Sequence, residues 1–200
     1  MKIKSLILLV SLVGWVAIST FIIAQLHSYH LVSFFPNQNL VKYQQGMISV
    51  THVLGTGCKC SDVIRNHLIA RGSLKGVSEN IVYLVDNKNT DATESYIAQF
   101  KEKGFQVNLK DQESFSEFES KVTGVPFMMV SGANKSILYA GGYGSHKILE
   151  GQEIQDQKII EQLIANKEVH TLPIFGCATS LKYQSLLDPF SIKYPQGASR

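Results

Sequence analysis

The stretch GTGCKCSDVIRNHL, residues 55–68, places Cys58 and Cys60 one residue apart at the start of a predicted helix. The preceding residues 47–55, MISVTHVLG, are rich in β-branched side chains and are typical of a strand. In residues 60–71, apolar side chains recur at the spacing of one helix face. The stretch therefore predicts a strand, a turn that carries the two cysteines, and a helix.

The segments that follow continue this alternation. Helices are expected over about 91–103, 112–122 and 154–166, and the last of them is expected to turn Ile159, Ile160, Leu163 and Ile164 inward. Strands are expected at 80–86 and 105–110, and the runs 127–130 and 136–140 flank the turn-rich SGANK as in a hairpin. This order predicts an α/β fold with a central sheet and helices on its faces.

The N-terminal residues predict a membrane-spanning helix. Residues 5–24, SLILLVSLVGWVAISTFIIA, carry no charge, and at about 1.5 Å per residue they span about 30 Å, the thickness of a bilayer core. Lys2 and Lys4 predict that residues 1–4 stay in the cytoplasm and that the rest of the chain crosses. A cleavable secretory signal is the alternative, although its apolar region is normally about 7 to 15 residues long. Both interpretations export the domain, and the polar, aperiodic residues 25–46 predict a stalk.

The charge balance gives no indication of nucleic-acid binding. The chain has 19 Lys and Arg against 16 Asp and Glu, a net charge of +3, and its sequence contains no long basic run. The 3 cysteines are more informative, because an exported chain enters a compartment that permits disulfides. An odd number of cysteines leaves one thiol outside any internal pairing or available for exchange.

A second motif, TGVPFMMV at residues 123–130, enters the predicted hairpin. Together with the cysteines between a strand and a helix, it resembles the thioredoxin superfamily over residues 47–166. The helix and strand at about 92–109 resemble the insertion of membrane-anchored, periplasm-facing thioredoxin-like proteins of the cytochrome-c-maturation and peroxiredoxin kind. The resemblance implies a mixed central sheet with helices on both faces, preceded by one transmembrane helix. Residues 167–200 then form a C-terminal extension that is expected to pack on the domain.

The resemblance also implies roles for individual residues. Val125 and Pro126 match the family's cis-proline dipeptide beside the redox cysteines, and Cys58 matches the first, attacking cysteine. The sequence departs from the family pattern at three places. The spacing is Cys-x-Cys rather than Cys-x-x-Cys, Gly57 stands where a Trp is usual, and His52 stands where thioredoxins keep a buried acidic residue.

The chemistry of such a pair requires a thiolate, which is the form that attacks a disulfide. Backbone N–H groups and the positive dipole at a helix N-terminus favour that anion, and Lys59 adds a positive charge that Asp62 partly opposes. The sequence therefore predicts a lowered pKa for Cys58 or Cys60, without deciding which of the two is lower. The hypothesis requires that the sulfurs are not sealed in the interior and that Pro126 lies close to them.

Two arrangements of the disulfide stay open. A bridge between Cys58 and Cys60 closes a very small ring, so its geometry departs from the preferred torsion, and strained bridges are the more oxidising ones. That arrangement favours oxidase or isomerase work. In the other arrangement Cys177 folds back against the site, forms the resting disulfide with Cys58 or Cys60, and acts as the resolving cysteine.

Pro126 and His52 complete the set of candidate catalytic residues. A cis peptide bond at Pro126 would bring the backbone close to the thiols and present the Val125 carbonyl and N–H to an extended peptide, which could pair there as an added strand. His52 is either a proton shuttle for the resolving thiolate, since imidazole titrates near neutral pH, or a hydrogen-bonded residue of the core.

These residues predict thiol-disulfide exchange by a single-pass inner-membrane protein whose domain faces the periplasm. Its expected partners are the thiols and disulfides of exported proteins, the membrane and an upstream redox protein; no cofactor, metal or nucleic acid is expected. Two alternatives stay open. One is a non-catalytic thioredoxin-fold binding module with structural cysteines. The other is delivery of copper or another metal by Cys58, Cys60 and a histidine, either His52 or His146.

Overall fold

The computed structural model describes residues 3–28, 48–85, 90–111, 122–133, 136–179 and Gln184. The described helices are α1 (Ile3–Ser28), α2 (Lys59–Arg71), α3 (Thr90–Glu102) and α4 (Asp156–Ile164). The described strands are β1 (Ile48–Gly55), β2 (Val77–Val85), β3 (Gln106–Asp111), β4 (Gly124–Val125), β5 (Phe127–Ser131), β6 (Ile137–Gly141) and β7 (Cys177–Ala178).

Five of these strands form one mixed sheet in the order β3-β2-β1-β5-β6. β1, β2 and β3 run parallel and are connected through α2 and α3. β5 and β6 form the predicted hairpin, which joins β1 antiparallel. β4 and β7 form a separate two-stranded antiparallel sheet, so the C-terminal part of the chain returns to the segment just before Pro126. The predicted alternation around a mixed central sheet is confirmed.

The core is built by the central strands and by the inner face of α2. Val53 and Leu54 of β1 are buried, and so is Phe127 of the neighbouring β5. α2 contributes Ile64 and Leu68, which lie one turn apart on its buried face. Burying a side chain of this size contributes about 1.5–3 kcal/mol relative to leaving it exposed. This packing of α2 on the sheet determines where its first turn lies.

Two details of the sequence prediction differ from the structure. Ile159, Ile160 and Leu163 are buried as predicted, but the prediction for Ile164 is wrong, because that residue is 49% exposed. Ile164 is the last residue of α4 and is not among the residues that the helix buries. The helix predicted over 112–122 lies outside the described residues except for Val122, which is buried but not helical.

α1 is a described helix that is long and apolar enough to cross a membrane. Its candidate span is Lys4–Ile23, and none of that span is buried inside the protein. α1 covers the predicted segment 5–24 and continues to Ser28; the rest of the predicted stalk, residues 29–46, lies outside the described residues. A secretory signal near the N-terminus can also meet this criterion of length and hydropathy, so the helix fits both interpretations.

A buried ionic network connects β1, β2, α2 and α4. The side chains of Glu79 on β2 and Asp156 on α4 are completely buried. Arg71 at the end of α2 donates to Glu79 Oε2 at 3.0 Å and to Asp156 Oδ2 at 2.9 Å. His52 Nε2 lies 3.0 Å from Glu79 Oε1, and His67 Nε2 lies 2.9 Å from Asp156 Oδ1. Because a buried charge is costly without partners, these contacts hold four elements in one arrangement.

The partners of the two carboxyl groups decide their charge. Burial raises the pKa of Glu79, but the hydrogen bonds from His52 and Arg71 outweigh it and hold that pKa at about 2. Burial likewise raises the pKa of Asp156, and the hydrogen bond from His67 with the charge of Arg71 holds it at about 2. Both groups are therefore ionised at neutral pH, with the Arg71 guanidinium between them.

Arg71→Met removes the cation that pairs both buried carboxylates. We expect it to lower the free energy of unfolding by about 3–5 kcal/mol, the usual cost of breaking a buried ion pair. Arg65→Met is the matched control on the same helix. Arg65 pairs with Asp62, whose side chain is 43% exposed, so this substitution should lower the free energy of unfolding by less. Thermal unfolding of both full-length variants in detergent gives the comparison. Equal losses would contradict the role assigned to Arg71.

Acid should destabilise the domain below about pH 4.5. The folded pKa values of Glu79 and Asp156, about 2, lie below the ordinary values of 4.5 and 3.8. The unfolded chain therefore binds protons first, and the stability that these groups contribute is present above the ordinary values and lost as pH falls toward 2. Melting temperatures recorded across this range should fall less steeply in Glu79→Gln. If the melting temperature of Glu79→Gln fell as steeply with pH as that of the unaltered protein, Glu79 would not be a source of the acid sensitivity.

Candidate active site

Cys58 lies at the junction of strand and helix that the sequence predicts. β1 ends at Gly55, and α2 begins at Lys59 with Cys58 as its N-cap residue. Gly57 turns the chain between them with a φ of +68°, a conformation that favours glycine. Cys60 follows in the first turn of α2. Both cysteines are thus at the positive end of the helix dipole.

The TGVP segment lies directly beside Cys58. The peptide bond between Val125 and Pro126 is cis, as predicted. The Val125 carbonyl oxygen lies 3.6 Å from Cys58 Sγ, which as a thiol donates to it. The Val125 side chain also covers the end of β1, since a Cβ added at Gly55 would lie 3.0 Å from a Val125 methyl group. The predicted proximity of this segment to Cys58 is confirmed.

Cys177 reaches the same place from the C-terminal part of the chain. β7 pairs antiparallel with β4, with Cys177 opposite Val125. The Cys177 and Cys60 side chains lie close enough to the Cys58 sulfur to lower its pKa by hydrogen bonding, and none of the three cysteines is in a disulfide. Cys60 Sγ also lies 4.0 Å from the Ile148 carbonyl oxygen. The structure therefore brings both candidate partners of Cys58 to its sulfur, and we call the three side chains the sulfur cluster.

The surroundings of Cys58 favour its thiolate. The hydrogen bond from the Cys177 thiol contributes most and that from Cys60 comes next. With smaller contributions from Ser61 they outweigh burial, which favours the neutral thiol, and hold the pKa of Cys58 well below its ordinary value. Lys59, which the sequence suggested as a cause, is exposed and is not among these contributions. The neighbouring thiols take its place.

The sulfurs are covered, which differs from the requirement stated from the sequence. Cys58 is 1% exposed and Cys60 is 6% exposed. β7 pairs with β4, and Gly176 just before β7 packs against Val125 and Pro126, the segment beside Cys58. Cys177 itself is partly exposed. A molecule outside the protein therefore reaches Cys58 only if part of its surroundings moves.

Both ring nitrogens of His52 have partners within the core. Nδ1 lies 2.8 Å from the Tyr143 hydroxyl and Nε2 lies 3.0 Å from Glu79. Burial raises the pKa of Tyr143 well above its ordinary value, so this hydroxyl stays protonated. Of the two interpretations of His52, these contacts favour the hydrogen-bonded core residue, and the proton-shuttle role stays a prediction.

Sequence reasoning missed Glu79 and Tyr143, which contact the buried His52, and Asp156, which pairs with His67 and Arg71. Glu79 directly precedes the predicted strand 80–86 and is observed inside β2. An acidic residue next to an apolar run was the signal that could have indicated a buried carboxylate. That His52 is its partner depends on the pairing of β1 with β2. The buried acid that the resemblance expects at position 52 is thus present nearby, contributed by the neighbouring strand.

Within the described parts of the chain, no group of three or more His, Cys, Asp or Glu side chains is placed to hold a metal ion. His52 bonds Tyr143 and Glu79, and the exposed His146 lies 2.7 Å from the Ser145 hydroxyl. Both histidines named for metal delivery thus have partners other than the sulfurs.

Comparisons with known proteins concern the fold. Neither a protein-family model nor a curated protein matches this sequence. A hypothetical protein of Sinorhizobium meliloti is similar in structure, with 12% identity and a TM-score of 0.52 over 66% of this chain and 78% of that chain. Two further structures are less similar. The thioredoxin domain of a thiol-disulfide oxidoreductase from Bacteroides vulgatus has 13% identity and a TM-score of 0.38 over 55% of this chain and 88% of that chain. StoA from Bacillus subtilis has 18% identity and a TM-score of 0.39 over 58% of this chain and 83% of that chain.

The strand order and the cis-proline beside a cysteine at a helix N-terminus are the features that the resemblance requires. The domain therefore has a thioredoxin-like fold. It departs from the usual pattern in the Cys-x-Cys spacing and in the third cysteine, which β7 brings to the site.

Because the Cys177 thiol contributes most to the ionisation of Cys58, Cys177→Ala should raise the pKa of Cys58 more than Cys60→Ala does. The ultraviolet absorbance of the thiolate, followed against pH in the full-length protein, measures this pKa. Cys58→Ala identifies the part of the signal that belongs to Cys58. The assignment fails if Cys58 in the unaltered protein titrates near the ordinary cysteine value of about 8.5.

Proposed function

We propose that this protein is a membrane-anchored thiol-disulfide oxidoreductase that exchanges disulfides with exported proteins. The sulfur cluster carries the proposal: Cys58 at the start of α2 is hydrogen-bonded to two further thiols and lies 3.6 Å from the Val125 carbonyl. Disulfide exchange needs a thiolate to attack, a second thiol to resolve the mixed disulfide, and a backbone edge to hold the substrate. These three parts meet at one place.

The reaction consists of two attacks. The Cys58 thiolate attacks a substrate disulfide, so a bond from Cys58 to one substrate sulfur forms, the substrate S–S bond breaks and the other substrate sulfur leaves as a thiolate. A second cysteine of this chain, as its thiolate, then attacks the Cys58 sulfur and releases the remaining substrate thiolate. The substrate gains two electrons, the cysteine pair loses two, and the reverse sequence oxidises a substrate dithiol.

Cys177 is the resolving cysteine in this proposal. The hydrogen bond from its thiol contributes most to the low pKa of Cys58. Because Cys177 lies on β7, far along the chain from Cys58, a disulfide between the two closes no small ring. A bridge to Cys60 would span a single intervening residue, which forces it away from the preferred geometry. Cys60 then serves to stabilise the Cys58 thiolate by its hydrogen bond.

The proposed location rests on α1 and on the two lysines that precede its apolar span. We place residues 1–4 in the cytoplasm, residues 5–24 in the inner membrane and residues 25–46 as a stalk on the periplasmic side. The domain over residues 47–166 and its extension over 167–200 then face exported substrates and an upstream redox protein that resets the cysteine pair.

A non-catalytic binding module is the second candidate, and the burial of Cys58 is the observation that favours it. A sulfur that is 1% exposed does not attack a disulfide unless its cover moves. If the cover stays in place, the cysteines act as small apolar side chains in the core.

Incubation of the reduced full-length protein with an oxidised cysteine peptide separates the two candidates. We expect reduction of the peptide and, by mass mapping, a bridge from Cys58 to Cys177. Cys58→Ser should abolish exchange because it removes the attacking thiolate. Cys177→Ser should accumulate the mixed disulfide between Cys58 and the peptide, whereas Cys60→Ser, the matched control, should still resolve it.

Two results would count against the oxidoreductase. Exchange that persists in Cys58→Ser would mean that Cys58 is not the attacking residue. Thiols that stay reduced in excess oxidised peptide, yet react once the protein is unfolded in denaturant, would favour the binding module.

A further inference from the structure

Residues 171–179, which we call the strap, are docked along the site at both of their ends. At the first end the Gly142 N–H donates to the Leu172 carbonyl at 3.0 Å. The Leu172 N–H in turn lies 3.4 Å from the hydroxyl of the buried Tyr139. Ile174, two residues further, is fully buried. This end of the strap is therefore anchored by both hydrogen bonds and apolar packing.

The second end of the strap pairs with the TGVP segment. Cys177 lies opposite Val125 in the antiparallel pairing of β7 with β4. The Thr179 N–H donates to the Thr123 carbonyl at 3.3 Å, and the Thr179 hydroxyl donates to the Val122 carbonyl at 2.7 Å. The strap thus continues as an added strand along the backbone that leads into Pro126.

Two glycines allow a closer approach of the backbones than any other residue would. A Cβ added at Gly176 would overlap the Val125 carbonyl oxygen, and a Cβ added at Gly142 would overlap the Pro173 carbonyl oxygen. Neither glycine has a positive φ, so neither is required for an unusual backbone conformation. They are required because two backbones meet there.

We infer that the strap is an intramolecular ligand of a peptide-binding edge at Val125 and occupies the place that an extended cysteine peptide takes from outside. The part of this inference that concerns a peptide from outside rests on the proposed function, whereas the docking of the strap is independent of it. β7 adds to β4 as a bound peptide adds to a strand edge, and it places a cysteine beside the carbonyl that contacts Cys58. Because the strap is tethered, an outside peptide competes against a high effective concentration.

The same geometry defines which outside segments fit. In the register of the strap, the residue before the pairing cysteine must be glycine, since any Cβ there meets the Val125 carbonyl. The residue after it occupies the buried position of Ala178 and must be small. The ligand class is therefore an extended segment with glycine before its cysteine and a small residue after it, of which residues 176–178 are the built-in example.

Gly176→Ala tests the inference in the full-length protein in detergent. The added methyl group forces the strap off Val125, so iodoacetamide should alkylate Cys58 about tenfold faster or more, because the rate follows the population of the open form. The reaction is run above pH of about 8.5, where Cys58 is ionised in either form. Gly144→Ala is the matched control, since a Cβ there lies at an ordinary 3.7 Å from the His146 carbonyl.

A milder pair of variants keeps the test independent of folding defects in Gly176→Ala. Thr179→Val removes the hydroxyl that donates to Val122 and should accelerate alkylation of Cys58 by a smaller factor. Thr179→Ser keeps a hydroxyl donor and should leave the rate unchanged.

A synthetic peptide tests the edge itself. The peptide of residues 171–179 carrying Cys177→Ser, added to the Gly176→Ala protein, should slow alkylation of Cys58 again. The same peptide carrying Gly176→Ala as well should give no protection, because its Cβ meets the Val125 carbonyl.

The outcomes distinguish this inference from the proposed function. Unchanged alkylation of Cys58 in both Gly176→Ala and Thr179→Val would overturn the covering role of the strap, whatever the exchange activity. Faster alkylation in a protein that exchanges no disulfide would support the strap and overturn the proposed function. Equal protection by the two peptides would overturn the requirement for glycine, and no protection by either would overturn the peptide-binding edge.

Discussion

The position of Val125 is the constraint on which the site depends. Its carbonyl faces Cys58, its backbone pairs with Cys177, and its side chain covers Gly55 at the end of β1. β1 leads into the turn that carries Cys58, and β5, which begins one residue after Pro126, is paired with β1. The separation of sulfur and carbonyl is therefore set by strand pairing in the central sheet, and the cysteine on β7 is added to a place that the sheet has already defined.

The buried ionic network fixes the opposite end of α2. Arg71 is held between Glu79 and Asp156, while Cys58 stands at the start of the same helix. With its inner face packed and its last turn ion-paired, α2 is a poor candidate for the movement that access to Cys58 requires. β7 is only two residues long and pairs along one short edge. A two-residue pairing opens at a lower free-energy cost than a helix that is packed and ion-paired along its length, so the inferred movement is assigned to the strap.

The central strands, α2 and the position of Cys58 could be predicted because each has a local pattern. β-branched runs mark the strands, a helical period marks α2, and the TGVP motif marks the residue beside the thiols. The pairing of β7 with β4 has no such pattern, since two residues form no period, and for that reason the choice between Cys60 and Cys177 stayed open. The partners of His52 were hidden for a related reason. The acidic residue beside His52 is determined by the register between β1 and β2, and the sequence of a single strand does not specify that register.

The contact that lowers the pKa of Cys58 belongs to the strap, which is inferred to cover it. The largest contribution to its low pKa is the hydrogen bond from Cys177, which lies on the strap, so departure of the strap raises that pKa toward its ordinary value. Because the pKa of Cys58 is lower in the closed form, the ionised sulfur holds the strap more tightly than the neutral thiol does. This stabilisation of the closed form is fully present above the pKa of the open form. It is lost as pH falls through the lower pKa of the closed form. A thiolate of higher pKa is the stronger nucleophile. Opening the strap therefore makes Cys58 reachable and its thiolate intrinsically more reactive, and below the pKa of the open form it also lets the sulfur take up a proton.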